Sequence, residues 1–271
     1  MSPLEFFHSY SPESNLATFG PVNIHWYGLL LAVGIVAGYW AVRRVWQERR
    51  GALPELEQLM IWLVVVGFIG ARLVDVFVFE WWYFQDNLSQ IWLVWRGGLA
   101  WHGALLGAAL VIWQWSKRHA RSFRELFDVL APGLAWGQAI GRWGNYFNQE
   151  LFGLPTSLPW GIPIEPLNRP DVYAAAAYFH PTFLYESVGL VVIGYLLWHL
   201  RRRLQRWPGA LIAVYLVLSG ALRVALEFIR LDEQSIFLGV RSGFWVAGLI
   251  IILGCVMWRL SRHHQTNNEV A

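Results

Sequence analysis

The chain has 271 residues, of which 56% are hydrophobic and 14% charged, with 18 tryptophans and a formal net charge of +3. Apolar runs recurring in a chain so poor in charge identify an integral membrane protein and leave no stretch for a soluble domain of useful size. The basic residues sit in short clusters between those runs, the positive-inside pattern, which argues against nucleic acid as a partner. The single cysteine, Cys255, excludes an internal disulfide and a multi-cysteine metal site.

Residues 1–23 read as an N-terminal arm. It contains Glu5 and Glu13 but no Lys or Arg, so it lacks the basic start of a cleavable signal peptide, and the first span is expected to be the insertion signal itself. Seven transmembrane helices are predicted, at about 24–45, 59–79, 99–115, 127–147, 182–200, 210–229 and 244–260, each roughly the 17–25 residues that a bilayer helix needs. The runs are continuous rather than alternating, and backbone groups in lipid must pair internally, so the spans are helices. The expected fold class is therefore an all-α integral membrane protein, one polytopic domain over residues 1–271.

Orientation follows from the basic residues. Fourteen of the 21 Lys and Arg lie on one side, in clusters around Arg43–Arg50, Lys117–Arg124, Arg201–Arg206 and Arg259–Arg262. Four lie on the other, at Arg96, Arg169, Arg230 and Arg241. That split places the N-terminus outside and the C-terminus in the cytoplasm. The longest connection, 148–181, is then an outer loop. It holds six of the 12 prolines and reads as an irregular cap. Trp81, Trp82, Tyr83, Trp92, Trp95 and Trp101 read as an interfacial aromatic belt. Gly67/Gly70, Gly103/Gly107 and Gly141/Gly144 fit close helix packing.

Ionisable residues inside spans are costly, by about 2.5–3.5 kcal/mol or more, and mark functional sites. With the orientation above, His25 and Tyr27, Arg72 and Asp75, His102, Arg142 and Asn145, Tyr185 and Glu186, and Arg223 and Glu227 all lie toward the outer side, with Arg230 at the mouth. Their common depth predicts one polar cavity at the outer leaflet. Arg223, Glu227 and Arg230 are four and three residues apart, so they share a helix face and Glu227 can pair with either arginine. Arg72 and Asp75, three apart, read as a structural pair. The guanidinium fork matches phosphate bidentately and stays charged, so Arg142 and Arg223 are candidates for holding a phospholipid headgroup. His102, beside small residues, is a candidate general base, or else a packing residue. No His/Asp/Glu cluster inside the membrane has metal-ligand spacing, and no metal or cofactor is expected.

Six blocks carry a family resemblance: G-R-W-G-N-Y-F-N-Q-E-L-F-G at 141–153, H-W-Y-G at 25–28, G-A-R-L at 70–73, W-H-G-A-L-L-G at 101–107, H-P-T-F-L-Y-E at 180–186 and R-V-A-L-E-F-I-R at 223–230. In this order the chain resembles the prolipoprotein diacylglyceryl transferases, the bacterial inner-membrane enzymes that lipidate lipoprotein precursors. Ala104, Tyr146 and Phe183 depart from the family pattern without removing an ionisable group. The resemblance implies transfer of a diacylglyceryl group from phosphatidylglycerol to the lipobox cysteine thiol of a preprolipoprotein signal peptide, with glycerol phosphate leaving. It also implies a periplasmic cap and a site facing the outer leaflet. It implies essential roles for Tyr27, His102, Arg142, Asn145, Glu150, Gly153, Arg223 and Glu227.

The chemistry of these residues suits that reaction. Arg142 and Arg223 would hold the phosphate, with Arg230 beside them, and His102 would take the thiol proton. Glu150 and Glu227 would orient the arginines, and Asn145 and Tyr27 would hydrogen-bond the headgroup. An anion transporter would need polar residues along a path to the cytoplasmic side, and the inner halves of the spans are apolar; a non-catalytic lipid scaffold is the other rival. Arg142→Lys tests the fork. It retains charge but should be strongly impaired in lipid transfer, and full activity would argue against bidentate phosphate binding.

Overall fold

The computed structural model describes residues 8–20, 22–94, 97–232 and 234–269. The readings placed on Glu5, Trp95 and Arg96 lie outside the described residues. Among the described residues, seven helices have 18 residues or more: α1 (Trp26–Glu48), α2 (Leu53–Val74), α3 (Trp101–Arg118), α4 (Phe123–Phe147), α5 (Thr182–Leu204), α6 (Ala210–Glu227) and α7 (Ser242–Glu269). Five of them, all but α3 and α4, are long and apolar enough to cross a membrane. The other two are diluted by polar residues, among them His102, Gln114 and Lys117 in α3 and Asp128, Gln138 and Arg142 in α4. Large apolar side chains are exposed along the helices, such as Val36, Trp40, Ile61, Leu106, Val192 and Leu249. A surface of that kind suits hydrocarbon rather than water.

The helix ends follow local chemistry more than hydrocarbon thickness. Helix α2 begins at Leu53, ahead of the apolar run, because Pro54 and Glu55 suit a first turn. It continues as a π-helical turn over Asp75–Phe79. Helix α5 runs on to Leu204 with Arg201, Arg202 and Arg203 in its last turn, where cations favour the helix C-terminus. Gly209, at φ 93°, opens α6.

The chain divides into two compact units, residues 1–42 with 130–271, and residues 43–129. In the first, α1 and α4 meet through two small-residue pairs. A Cβ added at Gly34 would stand 2.7 Å from the Gly137 carbonyl oxygen, and one at Gly38 would stand 2.8 Å from that of Gly133. These are G-x-x-x-G segments on both helices, so the backbones touch. Pro132 precedes the contact inside α4. Helix α6 packs on both α5 and α7. In the second unit α2 packs along α3. Gly70 lies against the Gly103 carbonyl, and Gly107 lies against Val66 and Gly67. The expected contact at Gly144 is with Tyr27, whereas an added Cβ at Gly141 meets nothing within 4 Å. Gly141 is therefore not a packing glycine.

The 148–181 connection folds on its own small core of Tyr146, Phe152, Ile162, Ile164, Phe179 and Phe183. Antiparallel β3 (Ile162–Pro163) and β4 (Tyr178–Phe179) pair within it. The N-terminal arm, whose hairpin is β1 (Asn15–Phe19) and β2 (Val22–His25), is tied to the cap. His8 stacks on Tyr178 at 3.7 Å. Buried Gln149 donates to Ser11 Oγ and to the Pro12 carbonyl, and accepts from the Glu165 amide.

The helix contact predicts an asymmetry between glycines. Gly38→Leu forces overpacking between α1 and α4 and should destabilise by about 1–3 kcal/mol, lowering the unfolding temperature in detergent micelles. Gly248→Ala, where an added Cβ meets nothing within 4 Å, should leave it unchanged. Equal effects would contradict the close contact.

Candidate functional site

In the first unit an ion-pair chain links charged residues of α4, α5 and α6 to the segment before α7. Arg142 Nη2 lies 2.7 Å from Glu186 Oε1. The other oxygen of Glu186 lies 3.4 Å from Arg230 Nη1. Arg230 grips Asp232 bidentately, Nε to Oδ1 at 2.8 Å and Nη2 to Oδ2 at 3.0 Å. Arg241 Nη2 is 3.6 Å from Asp232 Oδ1, and its Nε donates to Glu227 Oε1 at 2.9 Å. Glu227 Oε2 ends the chain 3.3 Å from Arg223 Nη2.

Glu186, Glu227 and Arg230 are the buried members of this chain; Asp232, Arg241 and the two end arginines are partly exposed. Glu227 and Arg230 are 2% and 3% exposed, while the Arg142 and Arg223 side chains are 27% and 25% exposed. Four guanidiniums face three carboxylates, leaving one positive charge in excess. Glu227 Oε2 has no hydrogen-bond partner, so its contact with Arg223 is electrostatic. The N-terminus of α7 also faces it: a Cβ added at Gly243 would collide with the Glu227 carboxylate.

Local backbone pairing brings the chain's members together. Residues 152–156 run between two neighbouring segments. The Gly153 amide donates to the His180 carbonyl at 2.8 Å, and the Leu154 amide to Ile229 at 2.7 Å. The Leu231 amide donates to Phe152 at 3.2 Å. Gly153 bridges Arg230 directly, and Pro155 bridges Phe179. A Cβ on Gly153 would lie 2.7 Å from the Ile229 oxygen and 2.9 Å from His180 Cβ. Gly153 thus has a steric role, since only glycine lets the strand of Arg230 and the start of α5 close on this segment.

The expected partner of Arg142 is corrected. Glu150 does not pair with an arginine among the described residues; it accepts from Asn145 Nδ2 at 3.2 Å and Asn148 Nδ2 at 3.1 Å. The Glu150 amide also donates to the Asn145 carbonyl at 2.8 Å, so this pair closes the C-terminus of α4. Glu186 holds Arg142 instead. Glu227 pairs with Arg223 as expected, but its second partner is Arg241 rather than Arg230. Tyr27, exposed at the start of α1, lies against Gly144, where an added Cβ would be 2.6 Å from its ring.

Arg72 and His102 belong to the second unit. Arg72 is saturated: it donates to the carbonyls of Gln90, Ile91, Gly97 and Gly98 at 2.8–3.0 Å, meets Asp75 Oδ2 at 3.4 Å and lies over the Phe84 ring. It pins Gln90, Ile91, Gly97 and Gly98 to α2, which is the structural role expected of the pair. His102 contacts the rings of Trp101 at 3.8 Å and Phe79 at 5.9 Å.

Sequence reasoning singled out Glu186 but gave it no partner, and it missed Asp232, Gln234 and Arg241. Gln234 donates to Asp232 and accepts from the Gly243 amide. The available signal was the alternation of sign across Arg223, Glu227, Arg230 and Asp232, continued by Arg241.

Compared with known proteins, residues 14–260 match the family model described as prolipoprotein diacylglyceryl transferase. The chain is 43% identical over 240 residues to the phosphatidylglycerol–prolipoprotein diacylglyceryl transferase of Acaryochloris marina, covering 88% of this chain and 86% of the relative. It is 41% identical over 256 residues to that of Thermosynechococcus vestitus, covering 93% and 92%. With the second such transferase of Streptomyces coelicolor it shares 34% over 262 residues, covering 95% and 83%.

Asp232 gives the ion chain a pH signature. Burial pushes its carboxyl up, but the hydrogen bond and charge of Arg230, the hydrogen bond from Gln234 and the charge of Arg223 outweigh that and hold it below the ordinary aspartate range. A carboxyl held down by folding contributes stability that is present above its unfolded value of about 3.9 and is lost as pH falls through the lower folded value. The excess unfolding temperature of wild type over Asp232→Asn should therefore be constant above about pH 5 and shrink below about pH 4. A difference independent of acid would show that the ion pairs contribute nothing through Asp232.

Proposed function

The chain belongs to the prolipoprotein diacylglyceryl transferase family, and we propose that it transfers the diacylglyceryl group of phosphatidylglycerol to the lipobox cysteine of preprolipoprotein signal peptides. Family membership makes it a transferase of lipoprotein biosynthesis, and its apolar helices make it a multi-pass membrane protein. In the proposed arrangement all seven long helices span the bacterial inner membrane, with the N-terminus and the cap in the periplasm and the site at the outer leaflet. The single observation that carries this reading is the ion-pair chain with one positive charge in excess and its two partly exposed ends on arginine. A phosphodiester bears one negative charge, and Arg142 and Arg223, each in a single ion pair, are the chain members with most of the fork left to offer it.

In the reaction, sulfur attacks the glycerol carbon bonded to the phosphate oxygen. The C–S bond forms, the C–O bond breaks, and the bonding pair leaves on glycerol 1-phosphate. The thiol proton must go to a base, because only the thiolate is a good nucleophile. Charge therefore grows on phosphate oxygen as the bond breaks, and guanidiniums held in place by Glu186 and Glu227 stabilise it without reorganising. Buried Glu186 bridges Arg142 and Arg230, so it is a positioning residue for the phosphate end. Tyr27 and Asn145 would hydrogen-bond the headgroup, and His102 is the candidate proton acceptor.

The test is a transfer assay with purified protein, labelled phosphatidylglycerol and a lipobox peptide, with a Cys→Ser peptide as control. Thiol-dependent labelling selects the enzyme over a transporter or a lipid scaffold. Arg142→Gln and Arg223→Gln should each lower transfer by about 100-fold or more, the loss for removing one charged donor to a transition state. Labelling of the Cys→Ser peptide, or near-wild-type rates in both variants, would overturn the proposal.

A further inference from the structure

One face of α4 is open beside Arg142. Leu134 and Gln138 are exposed, Arg142 is partly exposed, and a Cβ added at Gly141 meets nothing within 4 Å. At positions i, i+4, i+7 and i+8 these residues make one stripe along the helix. Gln138 is its unusual member. In the proposed arrangement it lies within the membrane, where an uncovered amide is costly unless something hydrogen-bonds to it.

The amide is held in place. Gln138 Nε2 donates to the Tyr215 hydroxyl of α6 at 2.6 Å, and Tyr215 is itself buried. Ser219, one turn further along α6, also interacts with that hydroxyl, and the charges of Arg142 and Glu186 reach it. One donor of the amide is thus used to fix its orientation, which leaves a second N–H and the amide oxygen for a ligand. A hydrogen bond between helices can also serve packing alone, but packing explains neither the exposure of Gln138 nor the open space over Gly141.

Spacing supplies the occupant. Arg142 stands four residues beyond Gln138 on one helix, about 6 Å along the axis. In a glycerophospholipid the ester carbonyls follow the phosphate by the length of the glycerol unit, a comparable reach. A phosphate on Arg142 therefore brings an ester carbonyl to Gln138, the glycerol across the bare surface of Gly141 and an acyl chain to Leu134. We infer that Gln138, fixed by Tyr215, is a specificity-determining residue that hydrogen-bonds an acyl-ester carbonyl of phosphatidylglycerol, so that the protein favours diacyl over dialkyl-ether lipid. The inference rests on the phosphate site of the proposed function and adds to it recognition of the ester region.

Competition between two lipids tests it. The full chain in neutral detergent is given equal amounts of diacyl phosphatidylglycerol and its dialkyl-ether counterpart of the same chain length, and native mass spectrometry counts which is retained. Wild type should retain the diacyl lipid in about fivefold excess, as one neutral hydrogen bond would give. Gln138→Met, of similar length, should retain the two equally; a purely structural Gln138–Tyr215 bond would change the unfolding temperature and leave the lipid ratio of wild type. Gly141→Leu fills the open face and should reduce retention of both lipids by about fivefold or more, as overpacking does at a filled contact, with no fall in unfolding temperature. A wild type that does not discriminate, a wild-type ratio in Gln138→Met, or undiminished retention in Gly141→Leu overturns the inference. Transfer rates read the two proposals separately. A diacyl preference in retention without thiol-dependent transfer supports the ester contact and overturns the proposed reaction, whereas transfer with no preference in retention supports the reaction and overturns the ester contact.

Discussion

Glu186 holds two arginines with one carboxylate. One oxygen meets Arg142 of α4 and the other meets Arg230, beyond the end of α6. Removing one partner of a buried ion pair typically costs about 3–5 kcal/mol, because it leaves an uncompensated charge. Each link in the series from Arg142 to Arg223 therefore constrains the next. The helices that bring these groups together must be fixed closely enough to keep every charge partnered. The close glycine contacts between α1 and α4 and the packing of α6 against α5 and α7 provide that rigidity.

The segment 141–153 shows how one stretch serves several purposes. Arg142 ends the ion-pair chain. Gly144 admits Tyr27, Asn145 and Glu150 close the helix end, Gln149 clamps the N-terminal arm, and Gly153 lets the strand of Arg230 approach. Gln149 and Leu151 adopt positive φ, 53° and 54°, a strained turn held by the hydrogen bonds on either side of it. Arg142 is the one cation of this stretch; the others determine where that charge sits.

The arginines of the long helices differ in how their donors are used. Arg72 gives its donors to four carbonyls and a carboxylate and lies over a ring, so it fastens a connection. Arg142 and Arg223 each make one ion pair among the described residues and keep about a quarter of their surface. An arginine with donors left over, in a chain of charges that does not sum to zero, is what the proposed phosphate site requires. The same test separates Arg121, which grips Glu55 bidentately at 2.6 and 2.8 Å and so reads as structural.

The sequence by itself determined that the protein is helical and membrane-embedded, because apolar runs of span length admit no other backbone solution in lipid. It also singled out Arg142, Arg223 and Glu227, because buried charge is expensive enough to stand out residue by residue, and the spacing of Arg223 and Glu227 put them on one helix face. Only the tertiary structure decided which carboxylate serves which guanidinium. Glu186 rather than Glu150 takes Arg142, and Arg241 rather than Arg230 takes the second oxygen of Glu227. Those choices depend on residues 44 positions apart, or on the far side of a hairpin, being brought together by backbone bridges such as Gly153 to Arg230. Helical spacing has no reach over such separations, and a charge in sequence carries no sign of its partner until the chain has closed around it.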